Sequence, residues 1–425
     1  MQKKIRKIKY LLEIFGPVFL LKLILLNFVV KRPSDIKIAN IKLREFIKKD
    51  LSFNKTKQQV LFIVPWMIFG GSDKVNLDIL SHINLSKFEL HFITDVKRNN
   101  VWGYRFRRYT NHIFHLPEII PPSLFSNFLI QYISLNKIST ILISNSSFGY
   151  EVLPEVRAAY PDIKIADLLH GQGGHHESGG FPKFSEPYDK YIDTRIAINN
   201  YLKDYLIANF KIKDEKIEVI YNGIDAKEFR SNVTEKGKFR KLLKVNKSVL
   251  LITYLGRLSY EKHPEKIIEI AEYLLSKNIT DIKFIIGGDG IMKDELVGKV
   301  NASNLSEYVK IIGYVEDTAN LINDSDVLII LSEMEGLPIV ILEALALGVP
   351  VIATQVGGIP EIIDNKKDGF LINFDNKMVA NFSDKIVALK DKELWKSLSK
   401  NARGKINDKF SIEKMVESYE KIFKH

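Results

Sequence analysis

Two glutamates with the spacing Glu-x7-Glu stand in the run Ser332-Glu333-Met334-Glu335-Gly336-Leu337-Pro338-Ile339-Val340-Ile341-Leu342-Glu343-Ala344. An apolar stretch before it, Asp326 to Leu331, reads as a buried strand. Pro338 then opens an apolar-periodic helix that ends near Gly348, and proline costs nothing in a first helical turn. Glu335 therefore falls on a strand-to-helix loop and Glu343 inside the helix. The N–H groups of Gly336 and Leu337 would point out of the helix start, where an anion is favoured. Two carboxylates beside an anion-binding helix end suit a ligand that carries both phosphate and hydroxyl groups. The plainer alternative is a surface Glu and a helix Glu paired with lysines, and an isolated Glu-x7-Glu would not decide between them.

The residues around this pair narrow the choice. The run resembles the Glu-x7-Glu signature of the retaining GT-B glycosyltransferases of family 4. Gly256-Arg257 followed by Lys262 resembles that family's Gly-Arg…Lys-Gly pattern, with His263 in place of the usual glycine, a change expected to be tolerated. Gly287-Gly288-Asp289-Gly290 resembles its Gly-x-Gly loop beside the nucleotide, and Ile311-Ile312-Gly313-Tyr314-Val315 a strand and loop near the base. Val349–Thr354, Gly357-Gly358-Ile359-Pro360-Glu361 and Asp368-Gly369-Phe370 continue the family order. Tyr221-Asn222-Gly223-Ile224-Asp225 to Phe229 is similar to its interdomain hinge, and Gly70-Gly71 to its loop after the first strand. The resemblance spans about residues 58–425 and is most specific from 222 onward.

It implies a GT-B fold: two Rossmann-like, doubly wound parallel-sheet domains facing each other across a cleft. The expected boundaries are an N-terminal arm over 1–57, an acceptor-side domain over 58–230 and a nucleotide-sugar domain over 231–405. A closing helix over 406–425 would cross back to the first domain. By the same resemblance, Arg257 and Lys262 bind the donor diphosphate. Fixed cations stabilise the charge gained by a departing nucleoside diphosphate, and Arg can do so with two donors at once. Gly288, Gly336 and Leu337 line the donor, Glu335 orients the sugar hydroxyls and Glu343 the ribose. Gly70 and Gly71 face the donor phosphates or the acceptor. No metal and no cofactor is expected, because the two cations take the part a metal ion plays elsewhere.

Strands must place these loops. They read at Val60–Pro65, Phe88–Val96, Thr140–Asn145, Ile163–His170, Arg195–Ile198 and Lys216–Tyr221, then at Val249–Leu255 and Lys283–Ile286, with helical patterns between several of them. Such alternation argues for a mainly parallel sheet covered on both faces. His170 closes one of these strands, at the end where open α/β sheets bind ligands. The run Gly171-Gln172-Gly173-Gly174-His175-His176-Glu177 after it invites a metal reading. Adjacent His175 and His176 would point apart, and no His-x3-His spacing exists. Two roles stay open for His170: a structural histidine at a strand end, or, by resemblance, a catalytic one reaching the transferred sugar.

Composition bounds the rest. The chain has 425 residues and no cysteine, which excludes disulfides, thiolate metal sites and cysteine nucleophiles. Residues 1–60 carry fifteen Lys/Arg against four Asp/Glu, a balance of +11 that equals the net charge of the whole chain. Residues 61–425 are thus neutral in sum, whereas a nucleic-acid binder carries its positive charge on the folded surface. The arm also holds a hydrophobic run, Tyr10 to Val30, interrupted by Glu13, Gly16-Pro17, Lys22 and Asn27. A bilayer needs roughly 20 apolar residues, and Pro17 would kink a helix. Basic residues on both flanks suit a segment lying on an anionic leaflet; a true span and a helix pair packed on the body are the alternatives.

The expected activity is transfer of a sugar from a nucleotide-diphosphate donor to a glycan or lipid-linked glycan, with retention and without metal. Bacterial cell-surface polysaccharide assembly at the inner face of the cytoplasmic membrane is the expected setting. The other readings are a non-catalytic partner subunit of a glycosyltransferase complex, a soluble sugar synthase, or a sugar-nucleotide epimerase.

Overall fold

The computed structural model describes residues 56–173 and 180–424. The arm residues 1–55, with the hydrophobic run, and Gly174 to Gly179, with His175, His176 and Glu177, lie outside the described residues.

Two parallel sheets organise the chain. The first has seven strands in the order β3-β2-β1-β4-β5-β6-β7: β1 Gln58–Val64, β2 Phe88–Thr94, β3 Ile113–His115, β4 Ile138–Ser144, β5 Lys164–Leu169, β6 Thr194–Ala197 and β7 Ile217–Val219. The second has six in the order β10-β9-β8-β11-β12-β13: β8 Leu250–Leu255, β9 Ile282–Gly287, β10 Val309–Gly313, β11 Val327–Ile330, β12 Val351–Thr354 and β13 Gly369–Ile372. Central strands such as β1 and β8 are almost entirely buried and mostly apolar, with an unbroken apolar run from Val60 to Val64 in β1. That is the signature of strands covered on both faces.

The chain packs as two compact units. One contains the described residues up to Leu168, Ser185–Arg195 and the end from Glu420; the other contains the described residues of Leu169–Phe184 and Ile196–Tyr419.

In the first unit, helix α1 (Gly71–His82) follows β1 and buries Val75, Ile79 and Leu80. The side chain of Phe423, fully buried, packs edge-on against the rings of Phe62 and Phe88 at 5.9 and 6.1 Å. Arg195, also fully buried, is neutralised by Asp167 at 2.6 Å and by Asp189 at 3.0 Å.

In the second unit, α2 (Asn200–Phe210) follows β6, and α3 (Lys266–Ser276) buries Ile267, Ile268, Ile270, Ala271 and Leu274 in the core beside Leu250, Ile252, Phe284 and Ile286. Helix α4 (Ile339–Leu347) follows β11, the short α5 (Ile359–Ile362) follows β12, and α6 (Ile412–Phe423) ends the chain.

The expected strands are present with ends shifted by a few residues. β3 and β13, of three and four residues, were not foreseen as strands. Each carries too few residues to show a period, and each is specified by pairing with a neighbour, β2 or β12. Pro338 was expected within the first turn of α4, but its ψ of 115° is extended, so it caps the helix and Ile339 begins it. The helix ends as expected at Gly348, whose φ of 72° lies in the left-handed region that favours glycine.

Candidate active site

The site is assembled in the second unit, from loops that follow strands β5, β8, β9, β11 and β12. Glu335 lies on the loop between β11 and α4. Ser332 Oγ donates to its Oε1 at 2.6 Å, and Lys262 Nζ lies 2.7 Å from the same oxygen. Lys262 also donates to the Met334 carbonyl at 3.3 Å. Both partners of the ion pair are largely buried, with side chains 17% and 12% exposed. The carboxylate and the cation that were read from separate motifs are therefore one contact.

The backbone of this loop is fixed through its carbonyls. Gly336 O accepts from Asn199 Nδ2 at 2.9 Å and from the Gly358 N–H at 3.1 Å. Leu337 O accepts from Asn222 Nδ2 at 3.2 Å. The N–H groups of Gly336 and Leu337 have no hydrogen-bond partner among the described residues. They precede α4 by two or three residues, so they belong to the loop rather than to the first helical turn. A Cβ on Gly336 would sit 2.2 Å from the His170 carbonyl, and one on Gly357 would sit 1.8 Å from the Glu335 carbonyl. Glycine is required at these two positions by close backbone approach.

His170 thus borders the loop through its main chain. Its side chain is half-buried, and burial pulls the imidazole pKa down to about 4, so the ring is neutral near pH 7. Gly173 and Gly180 lie close together: a Cβ on Gly180 would lie 2.6 Å from Gly173 Cα.

Arg257 follows β8 and is exposed, with no hydrogen bond or ion pair to a described side chain. Its carbonyl accepts from Tyr254 OH at 3.0 Å. The neighbouring loop after β9 lies directly against it: Leu258 N–H donates to Asp289 O at 3.0 Å, and a Cβ on Gly288 would come within 1.8 Å of Gly256 O. The glycine at 288 is what allows the two loops to touch. His263, where the family pattern has glycine, adopts φ 47°. Its Nδ1 is bonded to Glu265 Oε1 at 2.8 Å, its Nε2 lies 3.5 Å from Glu333 without a hydrogen bond, and the ring packs on Phe374 at 5.0 Å. These contacts hold a non-glycine residue in the left-handed conformation. Glu343 lies half-buried on α4, one turn in from its start.

The sequence reading gave no role to two supporting residues, Asn199 and Glu361. Asn199 is fully buried; its Oδ1 caps α2 by accepting from Leu202 N–H at 2.7 Å, while its Nδ2 holds Gly336. Its place after a strand and before an apolar pattern was a capping signal, but the bond to Gly336 was not. Glu361 accepts from Tyr221 OH at 2.6 Å, Tyr201 N–H at 2.8 Å and Asn200 N–H at 3.1 Å. Burial raises its pKa, but these hydrogen bonds outweigh burial and hold the carboxyl below the usual range. Glu361 therefore stabilises the N-terminus of α2 as an anion.

Gly70 and Gly71 belong to the first unit and are described apart from this site. Gly70 is extended at φ −177° and caps α1, so its backbone does not demand glycine. Beside it is Asp73, which the sequence did not single out. This carboxyl is buried, accepts from Ile68 N–H at 3.2 Å, and is pushed up to about 7 by burial. Also in this unit, Glu89, His91 and His112 lie close enough to suggest a metal site. Both His91 nitrogens are already engaged, by Tyr132 OH at 2.6 Å and Gln59 Oε1 at 2.7 Å.

Comparison with known proteins fits this geometry. The family described as Glycosyl transferases group 1 matches residues 235–405, and the family described as Glycosyltransferase Family 4 matches residues 69–228. An Escherichia coli UDP-Gal:alpha-D-GlcNAc-diphosphoundecaprenol alpha-1,3-galactosyltransferase is 31% identical over 57% of this chain and 62% of its own length. The match thus spans less than two thirds of that relative. A Bacillus anthracis N-acetyl-alpha-D-glucosaminyl L-malate synthase is 27% identical over 83% of this chain and 93% of its own length. Among solved structures, a glycosyltransferase from Rickettsia africae has a TM-score of 0.73 at 20% identity, covering 86% of this chain and 98% of its own. Anabaena HepE in complex with UDP has a TM-score of 0.70 at 19% identity, covering 86% and 99%. The chain belongs to the glycosyltransferases of group 1 and family 4, and its two parallel-sheet domains carry the GT-B fold.

Proposed function

We propose that the protein transfers a sugar from a nucleoside-diphosphate donor to a lipid-linked glycan, with retention at the anomeric carbon and without a metal ion. The observation that carries this reading is the Lys262–Glu335 pair, held beside the N–H groups of Gly336 and Leu337, which have no partner among the described residues, with Arg257 exposed on the loop after β8. Phosphate oxygens take the N–H groups and the two cations, and the carboxylate of Glu335 accepts from sugar hydroxyls. The bond from the anomeric carbon to the diphosphate breaks, and the bond to the acceptor oxygen forms on the same face. The acceptor proton passes to the departing diphosphate, so no side chain must serve as base. Arg257 and Lys262 stabilise the charge that develops there, which removes the need for a metal ion. Neutral His170 donates or accepts a hydrogen bond at the sugar. Gly288 and Glu343 complete the nucleotide side, and Gly70 and Gly71 serve the acceptor. The work is done at the inner face of a bacterial membrane, in surface polysaccharide assembly. The Escherichia coli relative, named for a diphosphoundecaprenol-linked acceptor, supports the acceptor class.

A small soluble acceptor is the second reading, favoured by the Bacillus anthracis relative that is matched along most of its length. A thermal-shift and calorimetric screen of nucleoside diphosphates and their sugars comes first, on the wild type and Arg257→Ala. One nucleotide should raise the melting temperature, and Arg257→Ala should abolish the shift. Turnover with that donor, with chelator present, is then offered a polyprenyl-diphosphate sugar or small hydroxy acids, and the product's anomeric configuration is read by NMR. An inverted product, chelator-sensitive turnover or absence of any nucleotide shift overturns the corresponding part.

A further inference from the structure

The first unit carries a surface that the donor chemistry leaves unused. Between Asp95 and Glu118 the chain has Lys97, Arg98, Arg105, Arg107 and Arg108 and no acidic residue. Lys97, Arg98 and Arg108 are exposed, and Arg105 and Arg107 half-buried. Large apolar side chains are exposed among them: Phe69 at 48%, Tyr104 at 53%, Tyr109 at 40% and Val96 at 39%. Three of the cations rest on rings. The Arg98 guanidinium lies 4.5 Å from the Trp66 ring, Arg105 lies 4.8 Å from Trp102, and Arg108 lies 5.8 Å from Tyr104.

The patch is a built surface rather than a loose loop. Met67 N–H donates to Asn100 Oδ1 at 2.8 Å, and Trp102 N–H donates to Met67 O at 3.0 Å, which ties the segment after β2 to the segment after β1. The rings of Phe69 and Trp102 meet edge-on at 5.7 Å. Two nearby described carboxylates are engaged elsewhere: Asp73 is buried and accepts from Ile68 N–H at 3.2 Å, and Asp95 accepts from Ser146 Oγ at 2.6 Å. Since residues 61–425 are neutral in sum, five positive charges in this short run are a local concentration.

We propose that this face docks on an anionic phospholipid surface. Basic side chains take the phosphates of the headgroups, and amphipathic rings settle at the headgroup level. A binder of single-stranded nucleic acid also pairs cations with rings, but it tracks its ligand along a positive groove, and the rest of residues 61–425 is net negative, at −5. Phe69 immediately precedes Gly70-Gly71, so a bilayer held here would present lipid-linked headgroups to that loop. Only this last purpose rests on the acceptor reading above; the docking does not.

The test uses the full chain without nucleotide or acceptor. Three tryptophans are present, Trp66, Trp102 and Trp395, and the first two belong to the patch or its support. Fluorescence is measured with vesicles of brominated phosphatidylglycerol, with brominated phosphatidylcholine as control. Bromolipid in the anionic vesicles should quench a component that is missing in Trp66→Phe. Arg98→Glu/Arg108→Glu should reduce that quenching roughly ten-fold or more, with the melting temperature and any nucleotide shift unchanged. Vesicle-bound protein in which wild type and Trp66→Phe are quenched alike overturns the proposal. So does quenching that needs polyprenyl diphosphate in the vesicles, which assigns the face to the acceptor, and so does retention of an oligonucleotide without quenching. Loss of nucleotide binding with vesicle quenching intact would sink the donor reading and leave this one standing.

Discussion

At the scale of single residues, the ion pair between Lys262 and Glu335 separates binding from turnover. Glu335→Gln removes the carboxylate's charge and releases Lys262 for phosphate. The affinity for the nucleoside diphosphate should hold or rise, while kcat should fall by about 100-fold, as for loss of one preorganised electrostatic partner. Lys262→Ala should instead weaken nucleotide affinity by roughly 10- to 100-fold, the worth of a charge-assisted contact. Calorimetry and initial rates check both, and an equal loss of affinity and kcat in Glu335→Gln would sink the assignment. His170 carries a different prediction. Burial lowers its pKa from 6.5 to about 4, so the unfolded chain takes up the proton first as pH falls. The stability linked to the neutral ring is complete above pH 6.5 and is lost progressively as the pH falls to about 4. Urea unfolding at pH 7 and pH 5 should show a smaller pH difference in His170→Gln than in the wild type. His263 shows what the residue scale hides from sequence. The substitution of glycine was visible, but φ 47° and the Glu265 contact that holds the ring were not.

At the scale of elements, the loop before α4 works because other elements grip it. Asn199 does two jobs, capping α2 with its oxygen and holding Gly336 O with its nitrogen. Asn199→Ser keeps a cap and loses the second bond, whereas Asn199→Ala loses both. Removing the cap costs about 0.5–2 kcal/mol, so urea midpoints should fall more for the alanine variant. Catalytic efficiency should fall alike in the two variants, because the grip on Gly336 is lost in each. An unaffected rate in Asn199→Ser would show that the loop needs no such tether. The motif residues themselves were legible because strand, loop and helix lie together in sequence, and Glu335, Gly336 and Glu343 fall where that pattern puts them. Their partners were not: Asn199, Asn222 and Gly358 reach the loop from other parts of the chain. Sequence periodicity records which face of an element is buried, but not which backbone carbonyl a buried amide will meet.

At the scale of the molecule, the alternation of apolar strands and helices made two parallel sheets readable, while β3 and β13 were too short to show a pattern and depend on their neighbours. The chain end belongs to this scale as well. Glu420 onward packs with the first unit although most of α6 packs with the second. Phe423 is the anchor, fully buried between Phe62 and Phe88. Phe423→Ala removes a large ring from a core that can relax only in part, and such truncations cost about 3–5 kcal/mol. That loss falls on the first unit, whereas Arg257, Lys262 and Glu335 all lie in the second. Emission reports on each unit by itself, since Trp66 and Trp102 lie in the first and Trp395, which donates to Asp326 O at 2.7 Å, in the second. In urea, Phe423→Ala should move the transition seen by Trp66 and Trp102 to lower denaturant and leave that of Trp395 in place, as single-tryptophan variants would resolve. Nucleotide affinity, measured without denaturant, should stay within about two-fold of wild type, because mutations far apart with no shared partners act independently. A common shift of both transitions would mean that the chain unfolds as one cooperative body, and the return of the C-terminus would then stabilise the donor site as much as the sheet it packs on.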